Sequence, residues 1–218
     1  DRKLRFSGFS QKNGKYILKI APTHFGEIRE TDIRAAMNED CEKNLLAQGT
    51  TDFNDEMAYF ACSVAVNSVP ITREGYVHVF RRSDSQELFP GFYDITGGFV
   101  DVGDKIFDLH EGDMTKKFLD LVNYNTRKEF IEESGHQHNV FELTGLVKGA
   151  NFVFTHRALL GITSDDYRKR LETAADASEA KRHLVLKTSE EVARFLEMEK
   201  NRTSPTDYHS LRFHLNRL

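Results

Sequence analysis

The pattern of apolar and polar residues at the start of the chain predicts a β-hairpin. Residues 3–9 and 15–21 are predicted to form two short strands, and the turn between them, residues 11–14, ends in Asn13-Gly14. Asn-Gly favours two-residue hairpin turns, because both turn positions need a positive φ. The segment that follows the hairpin has the period of a helix. Apolar residues at 33, 36, 37, 45 and 46 predict an amphipathic helix over 31–47, with Thr31 or Asp32 as its N-cap.

Further patterns in the middle of the chain predict three strands and one long helix. Residues 57–68 and 75–81 are expected to form strands with a turn around Pro70, and a strand over 92–97 leads into two glycines. Apolar positions at helical spacing then predict one helix over 114–134, begun by Asp113 and ended by Gly135. Residues 105–112 would form a loop before this helix. The poor helix formers at 123–125 leave a break in the helix as an alternative.

The last third of the chain is expected to alternate strands with helices. Strands are predicted at 140–148, 151–161 and 182–187, and helices at about 164–174, 188–200 and from Ser204 to the C-terminus. This interleaving predicts an α/β fold with an α/β/α layer architecture around a mixed β-sheet. We expect residues 1–55 to form an N-terminal subdomain or dimer arm and residues 56–218 to form the main domain.

Composition and charge narrow the classes of function. A chain of 218 residues can bury a sizeable core, and a net charge of −4 gives no basic field for nucleic acid. Cys41 and Cys62 fit no disulfide or metal framework, which favours a reducing compartment. No apolar run is long enough to span a membrane and no signal peptide is visible, so we expect a cytoplasmic protein that binds neither membrane nor nucleic acid.

Three carboxylates within the long predicted helix are the main chemical signal. Glu129, Glu132 and Glu133 stand at i, i+3 and i+4, so they share one helix face and repel one another. A divalent cation would turn this repulsion into attraction, and the turn at Gly97-Gly98 lets a backbone approach closely. Hard carboxylate ligands favour Mg²⁺ or Mn²⁺ over zinc. The alternative is a solvated acidic face without a ligand.

These residues resemble the Nudix box, written G-x5-E-x7-R-E-U-x-E-E-x-G-U with U apolar. Gly98 takes the place of the first glycine, and the closing part from Glu129 to Gly135 matches at every specified position. Asp104 stands where the first Glu is expected, Lys128 where the Arg is expected, and His136 where the last apolar residue is expected. Residues 105–127 are 23 positions in place of seven, an insertion of 16.

The resemblance implies a Nudix-like α/β/α sandwich and a metal-dependent hydrolase. Its substrate would be a nucleoside diphosphate linked to another moiety, cleaved at the pyrophosphate bond. Glu129, Glu132 and Glu133 would be catalytic and would hold Mg²⁺ or Mn²⁺, together with the carbonyl of Gly97 or Gly98. Lys128 or Arg127 would pair with Asp104 and orient a Glu. The catalytic base would be a Glu of the box or, on a later loop, Glu179.

Substrate binding is predicted less sharply. Gly97 and Gly98 would contact the substrate, and Arg81 and Arg82 end the preceding strand, where they reach either substrate phosphate or solvent. Ala21–Phe25, the Pro90-Gly91 pair and the enlarged box are similar to the branch of Nudix hydrolases that acts on UDP-glucose. ADP-ribose and other nucleoside diphosphate derivatives are the alternatives.

A second function and an assembly state are also open. The replacements at Asp104, Lys128 and His136, together with the insertion, motivate a non-catalytic Nudix-like module that binds a nucleotide or a protein. Many proteins of this fold form dimers, so the resemblance is also compatible with a homodimer, in which the N-terminal hairpin is the segment expected to be exchanged.

Overall fold

The N-terminal hairpin forms as predicted. In the computed structural model, which describes residues 2–86, 88–103, 113–137, 140–148 and 151–216, β1 (Arg2–Lys12) pairs antiparallel with β2 (Lys15–His24). Asn13 and Gly14 form the turn with φ of +52° and +74°, the left-handed values that a two-residue turn requires. The base of the hairpin is buried at Leu4 and Phe6, whereas its distal half is exposed.

The helical segment after the hairpin differs from the prediction. It consists of α1 (Phe25–Ile28), a π-helical turn (Arg29–Ile33), α2 (Arg34–Met37) and α3 (Glu39–Phe53). Asn38 breaks the predicted helix, because its side chain accepts the N–H of Cys41 and caps α3. The predicted cap at Thr31 or Asp32 is wrong. The Asp32 carboxylate instead accepts the N–H groups of Cys62 and Ser63 across the fold.

Among the described residues, a sheet of seven strands follows. Its strands are β3 (Val64–Ile71), β4 (Val77–Arg82), β5 (Tyr93–Asp94), β6 (Thr96–Phe99), β7 (Val140–Lys148), β8 (Phe152–Leu159) and β9 (Ala180–Leu186). The order is β5-β4-β3-β8-β7, with β6 beside β3 and β9 beside β4. The turn expected around Pro70 lies later, between Thr72 and Tyr76, because Pro70 is a buried residue within β3.

The helices of this part of the chain lie close to their predicted positions. They are α4 (Met114–Ser134), α5 (Ser164–Leu171), α6 (Ser189–Met198) and α7 (Pro205–Leu215), with single 3₁₀ turns at Ala177–Glu179 and Lys200–Arg202. No helix in the described ranges is long and apolar enough to cross a membrane.

The chain packs as two compact units, each made of separated segments. The first takes the chain up to Ala65 together with residues 99–121 and 148–152, and the second takes residues 66–98, 122–147 and the chain from 153 onward. In the first unit, the β1 residues Leu4 and Phe6 donate backbone hydrogen bonds to the carbonyls of Val100 and Cys62. The predicted boundary after residue 55 remains a prediction.

Helices cover both faces of the sheet in the second unit. On β4, Val79 packs in a buried cluster with Leu211 of α7. Its neighbour His78 points to the opposite face, where its ring meets Tyr167 of α5 edge-on at 4.8 Å. Phe130 of α4 stacks on the same tyrosine. Successive strand residues therefore face helices on opposite sides, which confirms the predicted α/β/α architecture around a mixed sheet.

Candidate active site

The acidic helix α4 is continuous and has the predicted ends. At its start, Asp113 accepts the backbone N–H of Lys116 at 3.1 Å. At its end, Gly135 has a φ of +65° and donates to the carbonyl of Ile131 at 2.8 Å. The alternative of a break at 123–125 is wrong, since these residues are helical and Asn125 is fully buried. The three glutamates therefore project from one rigid element.

Gly97 and Gly98, which were predicted to form a turn, instead lie within strand β6, and this glycine pair lies directly against the helix. The N–H of Gly97 donates to Oε2 of Glu133 at 2.8 Å. A Cβ on Gly98 would lie 2.2 Å from Oε2 of Glu129, and a Cβ on Gly97 would lie 2.5 Å from the carbonyl oxygen of Val66. Backbone atoms fill the space at Gly97, and the Glu129 carboxylate fills the space at Gly98, so the glycine pair brings together two of the three predicted acidic ligands.

Lys128 occupies the acidic face beside the third glutamate. Its Nζ lies 3.4 Å from Oε1 of Glu129 and 3.6 Å from Oε2 of Glu132, so one cation screens the repulsion between the two carboxylates. Asp104, the predicted partner of Lys128, lies outside the described residues. The alternative orienting residue Arg127 places its guanidinium over the ring of Phe141 at 5.3 Å.

Tyr167 supports the C-terminal end of the acidic helix from α5. Its side chain is buried, stacks on Phe130 and hydrogen-bonds Ser134. Burial, reinforced by the negative charge of Glu133, raises the pKa of the Tyr167 hydroxyl, so the phenol stays neutral next to that carboxylate. The sequence carries no signal for this contact, which joins two helices through the tertiary fold alone.

Arg81 and Arg82 are both held by the segment between β4 and β6. Nε of Arg81 donates to the carbonyl of Gly91 at 2.8 Å. The guanidinium of Arg82 pairs with Asp94 and also donates to Gln86 at 3.3 Å. The described contacts of the two arginines thus anchor a connecting segment, and binding of substrate phosphate by them remains a prediction.

A buried polar network next to the glycine pair was missed by the sequence analysis. Asn67 of β3 donates to Oδ1 of Asp207 at 3.0 Å, and its Cβ and backbone fill the space in which a side chain on Gly97 would lie. Burial and the neighbouring Asp94 raise the pKa of Asp207, so this carboxyl group holds its proton more tightly than usual. The one available signal was Ser204-x-x-Asp207, the capping pattern that starts α7.

The carboxylates at the glycine pair suit a hard divalent cation. Glu129 and Glu133 both lie against this pair. Mg²⁺ in proteins is commonly held by one or two carboxylates, with water and substrate phosphate as the other ligands. In the described ranges, no group of three or more His, Cys, Asp or Glu side chains is placed to hold a metal ion. The side chain of Glu179, the predicted alternative base, lies outside the described part.

Sequence comparisons give no relative, since neither a family model nor a curated protein matches the chain. Among solved structures, DR0079 of Deinococcus radiodurans is 18% identical with a TM-score of 0.47, over 69% of this chain and 81% of its own. A mutT/nudix family protein of Listeria innocua is 13% identical with a TM-score of 0.47, over 71% and 92%. The Nudix domain of NrtR from Shewanella oneidensis, in complex with ADP ribose, is 15% identical with a TM-score of 0.45, over 78% and 97%. These scores are too low to establish a shared fold, so we base the function on the residues of the site.

Proposed function

We propose that the chain is a Nudix-type hydrolase, which uses Mg²⁺ or Mn²⁺ to cleave the pyrophosphate bond of a nucleoside diphosphate linked to another moiety. One observation carries the proposal: Gly97 donates its N–H to the carboxylate of Glu133, and the carboxylate of Glu129 occupies the space that a side chain on Gly98 would need. A structural acidic helix would not require such close approach by a glycine backbone.

We assign the following roles to the residues of the site. Glu129 and Glu133 would hold the cation with a carbonyl oxygen of the glycine pair. Glu132 lies one helical turn after Glu129 on the same face of α4. When bound, the cation neutralises phosphate oxygens and lowers the pKa of a bound water. The N–H of Gly97 fixes the orientation of the Glu133 carboxylate. Lys128 lies close enough to Glu129 and Glu132 to screen the repulsion between their carboxylates.

The direct test is hydrolysis of a substrate panel with and without Mg²⁺. Nucleotide sugars, ADP-ribose, dinucleoside polyphosphates and nucleoside triphosphates would be incubated with the protein, and phosphorus NMR would identify the bond that breaks. We expect metal-dependent release of a nucleoside monophosphate and a phosphorylated product. UMP with a sugar 1-phosphate would specify the UDP-sugar branch, whereas AMP with ribose 5-phosphate would specify ADP-ribose.

Matched variants tie the activity to the site. We expect E133Q and E129Q each to lower turnover by about a hundredfold or more, because each would remove a charged ligand from the site. E197Q makes the same chemical change at an exposed position of α6 and should leave turnover unchanged. Full activity in E133Q would overturn the assigned roles, and activity that survives complete removal of metal would overturn the proposed chemistry.

A non-catalytic module that binds a nucleotide or a protein is the second candidate. The observation in its favour is that Lys128 already neutralises part of the acidic face, while no three-carboxylate group is formed within the described residues. This candidate predicts thermal stabilisation by one ligand of the panel with no turnover. Metal-dependent product release would eliminate it.

We also propose a homodimer that forms through the exposed half of the N-terminal hairpin. Phe9 and Ile17 are 58% and 44% exposed on the distal half of the two-stranded ribbon, beyond the base at which β1 bonds to Val100 and Cys62. Light scattering coupled to size exclusion should give twice the chain mass of 25.1 kDa, and F9E should return the protein to the monomer. A wild-type monomer at high concentration would exclude this assembly.

A further inference from the structure

The first unit contains a cavity of about 200 Å³ that shares no residue with the candidate active site. The first strand, the segment around residues 55–62 and the start of β8 contribute its walls. The residues that matter for its chemistry are Arg5, Phe6, Asp55, Lys148, Asn151 and Phe152. A cavity of this size accommodates a single ring and one small charged group rather than an extended ligand.

Two aromatic side chains line the cavity. Phe6 and Phe152 stack face to face, with ring centroids 4.3 Å apart and planes within 3° of parallel. Both side chains are 8% exposed, and they line the cavity together with Met57 and Ala58. Each ring covers one face of the other, so a ligand ring would pack against the outer surface of the pair and bury apolar area there.

The lining also contains two cationic side chains, Arg5 and Lys148. Arg5 donates from Nη2 to the carbonyl of Phe60 at 3.2 Å, while its Nε is buried without a hydrogen-bond partner. In the part of the chain that the structure describes, no carboxylate lies within ion-pair distance of Arg5 or Lys148. A buried guanidinium N–H without an acceptor is costly, and an anion in the cavity would remove that cost.

The remaining polar groups agree with an anionic ligand. Asn151 accepts from the hydroxyl of Ser63 through Oδ1 at 3.0 Å, so its amide directs an NH₂ donor away from that contact. Asp55 is an acid among the lining residues, and its Oδ1 accepts the N–H of Met57 at 3.0 Å. With Arg5 and Lys148 against this one carboxylate, the lining carries a net positive charge.

We propose that this cavity binds a small organic anion, in which one planar ring carries a phosphate or carboxylate group. The ring would lie against Phe6 and Phe152, and the anionic group would accept from Arg5, Lys148 and Asn151. This site is separate from the proposed hydrolysis. Its occupation would couple the first strand to Lys148, Asn151 and Phe152 and so stabilise the first unit.

Phenyl phosphate is the probe, because it carries one ring and one phosphate and has no pyrophosphate bond. Calorimetric titration of the full chain, at constant ionic strength and with metal removed by chelator, should show binding. We expect R5Q and K148Q each to weaken it about tenfold, the loss of one charge-assisted hydrogen bond. K43Q removes a cation that pairs with Glu39 on the surface of α3, and it should bind as the wild type does.

Three results would overturn the proposal: no binding of phenyl phosphate by the wild-type chain, equal binding by K148Q and the wild type, or binding that E133Q abolishes. If R5Q fails to fold, K148Q decides alone, because Lys148 is exposed. Inorganic phosphate and benzoate separate the two possible anionic groups, and equal affinity for inorganic and phenyl phosphate would overturn the role of the two aromatic side chains.

Labelling of cysteine locates the bound probe. Cys62 lines the cavity, and burial raises the pKa of its thiol to about 11, so its reaction with a maleimide is slow and sensitive to access. Phenyl phosphate should slow the labelling of Cys62 several-fold and leave that of Cys41 unchanged. Equal protection of the two cysteines would place the probe elsewhere and overturn the assignment.

Discussion

Replacement of Gly98 by alanine would test whether the position of the Glu129 carboxylate matters for activity. The new Cβ would lie 2.2 Å from Oε2 and 2.5 Å from Cδ of Glu129. Ordinary van der Waals contact begins near 3.4 Å, so the carboxylate must move by about 1 Å. The atoms that must move are the end of a flexible side chain, and the backbone of Gly98 has an ordinary φ that alanine also adopts.

The two consequences of this substitution have different sizes. Stability should change by no more than about 1 kcal/mol, because the glutamate side chain can rotate away and alanine restricts the unfolded chain more than glycine does. Turnover should fall by about a hundredfold, which is the effect of displacing a catalytic group by about 1 Å. G98A is therefore expected to be folded and nearly inactive.

G97A is the contrasting variant at the neighbouring glycine of the same strand. Its Cβ would lie 2.5 Å from the carbonyl oxygen of Val66 and 3.1 Å from Cα of Asn67. These are backbone atoms of the central strand β3 and cannot move without disturbing the sheet, so G97A should lose about 1–3 kcal/mol of stability. G26A adds the same methyl group where nothing lies within 4 Å, and it should behave as the wild type does.

Urea unfolding and metal-dependent turnover would be measured for all three variants. The reasoning predicts that G98A separates activity from stability and that G97A loses stability. If G98A retains full turnover, the position of the Glu129 carboxylate does not limit the reaction. If G98A unfolds as readily as G97A, the space at Gly98 is fixed by packing rather than by the glutamate.

Three further predictions concern charge. K128Q removes the cation beside Glu129, so the Mg²⁺ concentration that gives half-maximal turnover should fall about two- to fivefold. K128R keeps the charge and should leave this concentration unchanged. An unchanged concentration in K128Q would show that Lys128 does not compete with the metal. The raised pKa of Asp207 stabilises the fold at pH below its ordinary value of 3.8, and this contribution disappears as the pH rises through the folded value. D207N should therefore gain stability relative to the wild type between pH 4 and pH 8 in urea unfolding, and parallel curves would show that the pKa of Asp207 is not raised. Burial lowers the pKa of His78 from 6.5 to about 4, so its neutral form stabilises the fold above pH 6.5 and this contribution is lost as the pH falls toward 4. H78Q should lose less stability than the wild type between pH 7 and pH 5, and an equal loss would contradict the shift.

Elements with a local signal were predicted well from the sequence. Asn13-Gly14 places the hairpin turn, Asp113 and Gly135 give both ends of α4, and Ser204-Pro205 starts α7. Each of these signals acts within a few residues, through the φ of a turn or the capping of free N–H groups. The spacing of the glutamates on α4 follows from the same local regularity.

Features that depend on distant residues were not predictable in this way. Aspartate is a residue type that often caps helices. The carboxylate of Asp32 instead accepts the backbone N–H groups of residues 62–63, about thirty positions away. The pairing of Arg82 with Asp94 and the burial of Asp207 likewise depend on how β4, β5 and α7 pack together. No period or spacing in the sequence encodes such contacts, because they arise only when the sheet has formed.

The exposed tip of the N-terminal hairpin offers a place at which the chain can be extended for practical use. Lys12 and Lys15 form the last pair of the ribbon, and residues 11–15 are all exposed, whereas burial begins at Phe6. Loop tips of this kind tolerate inserted sequence, and each doubling of a flexible loop costs only about 0.6 kcal/mol. A fluorescent reporter or an affinity peptide inserted between Asn13 and Gly14 would therefore leave Gly97 and Gly98 of the second unit chemically unaltered.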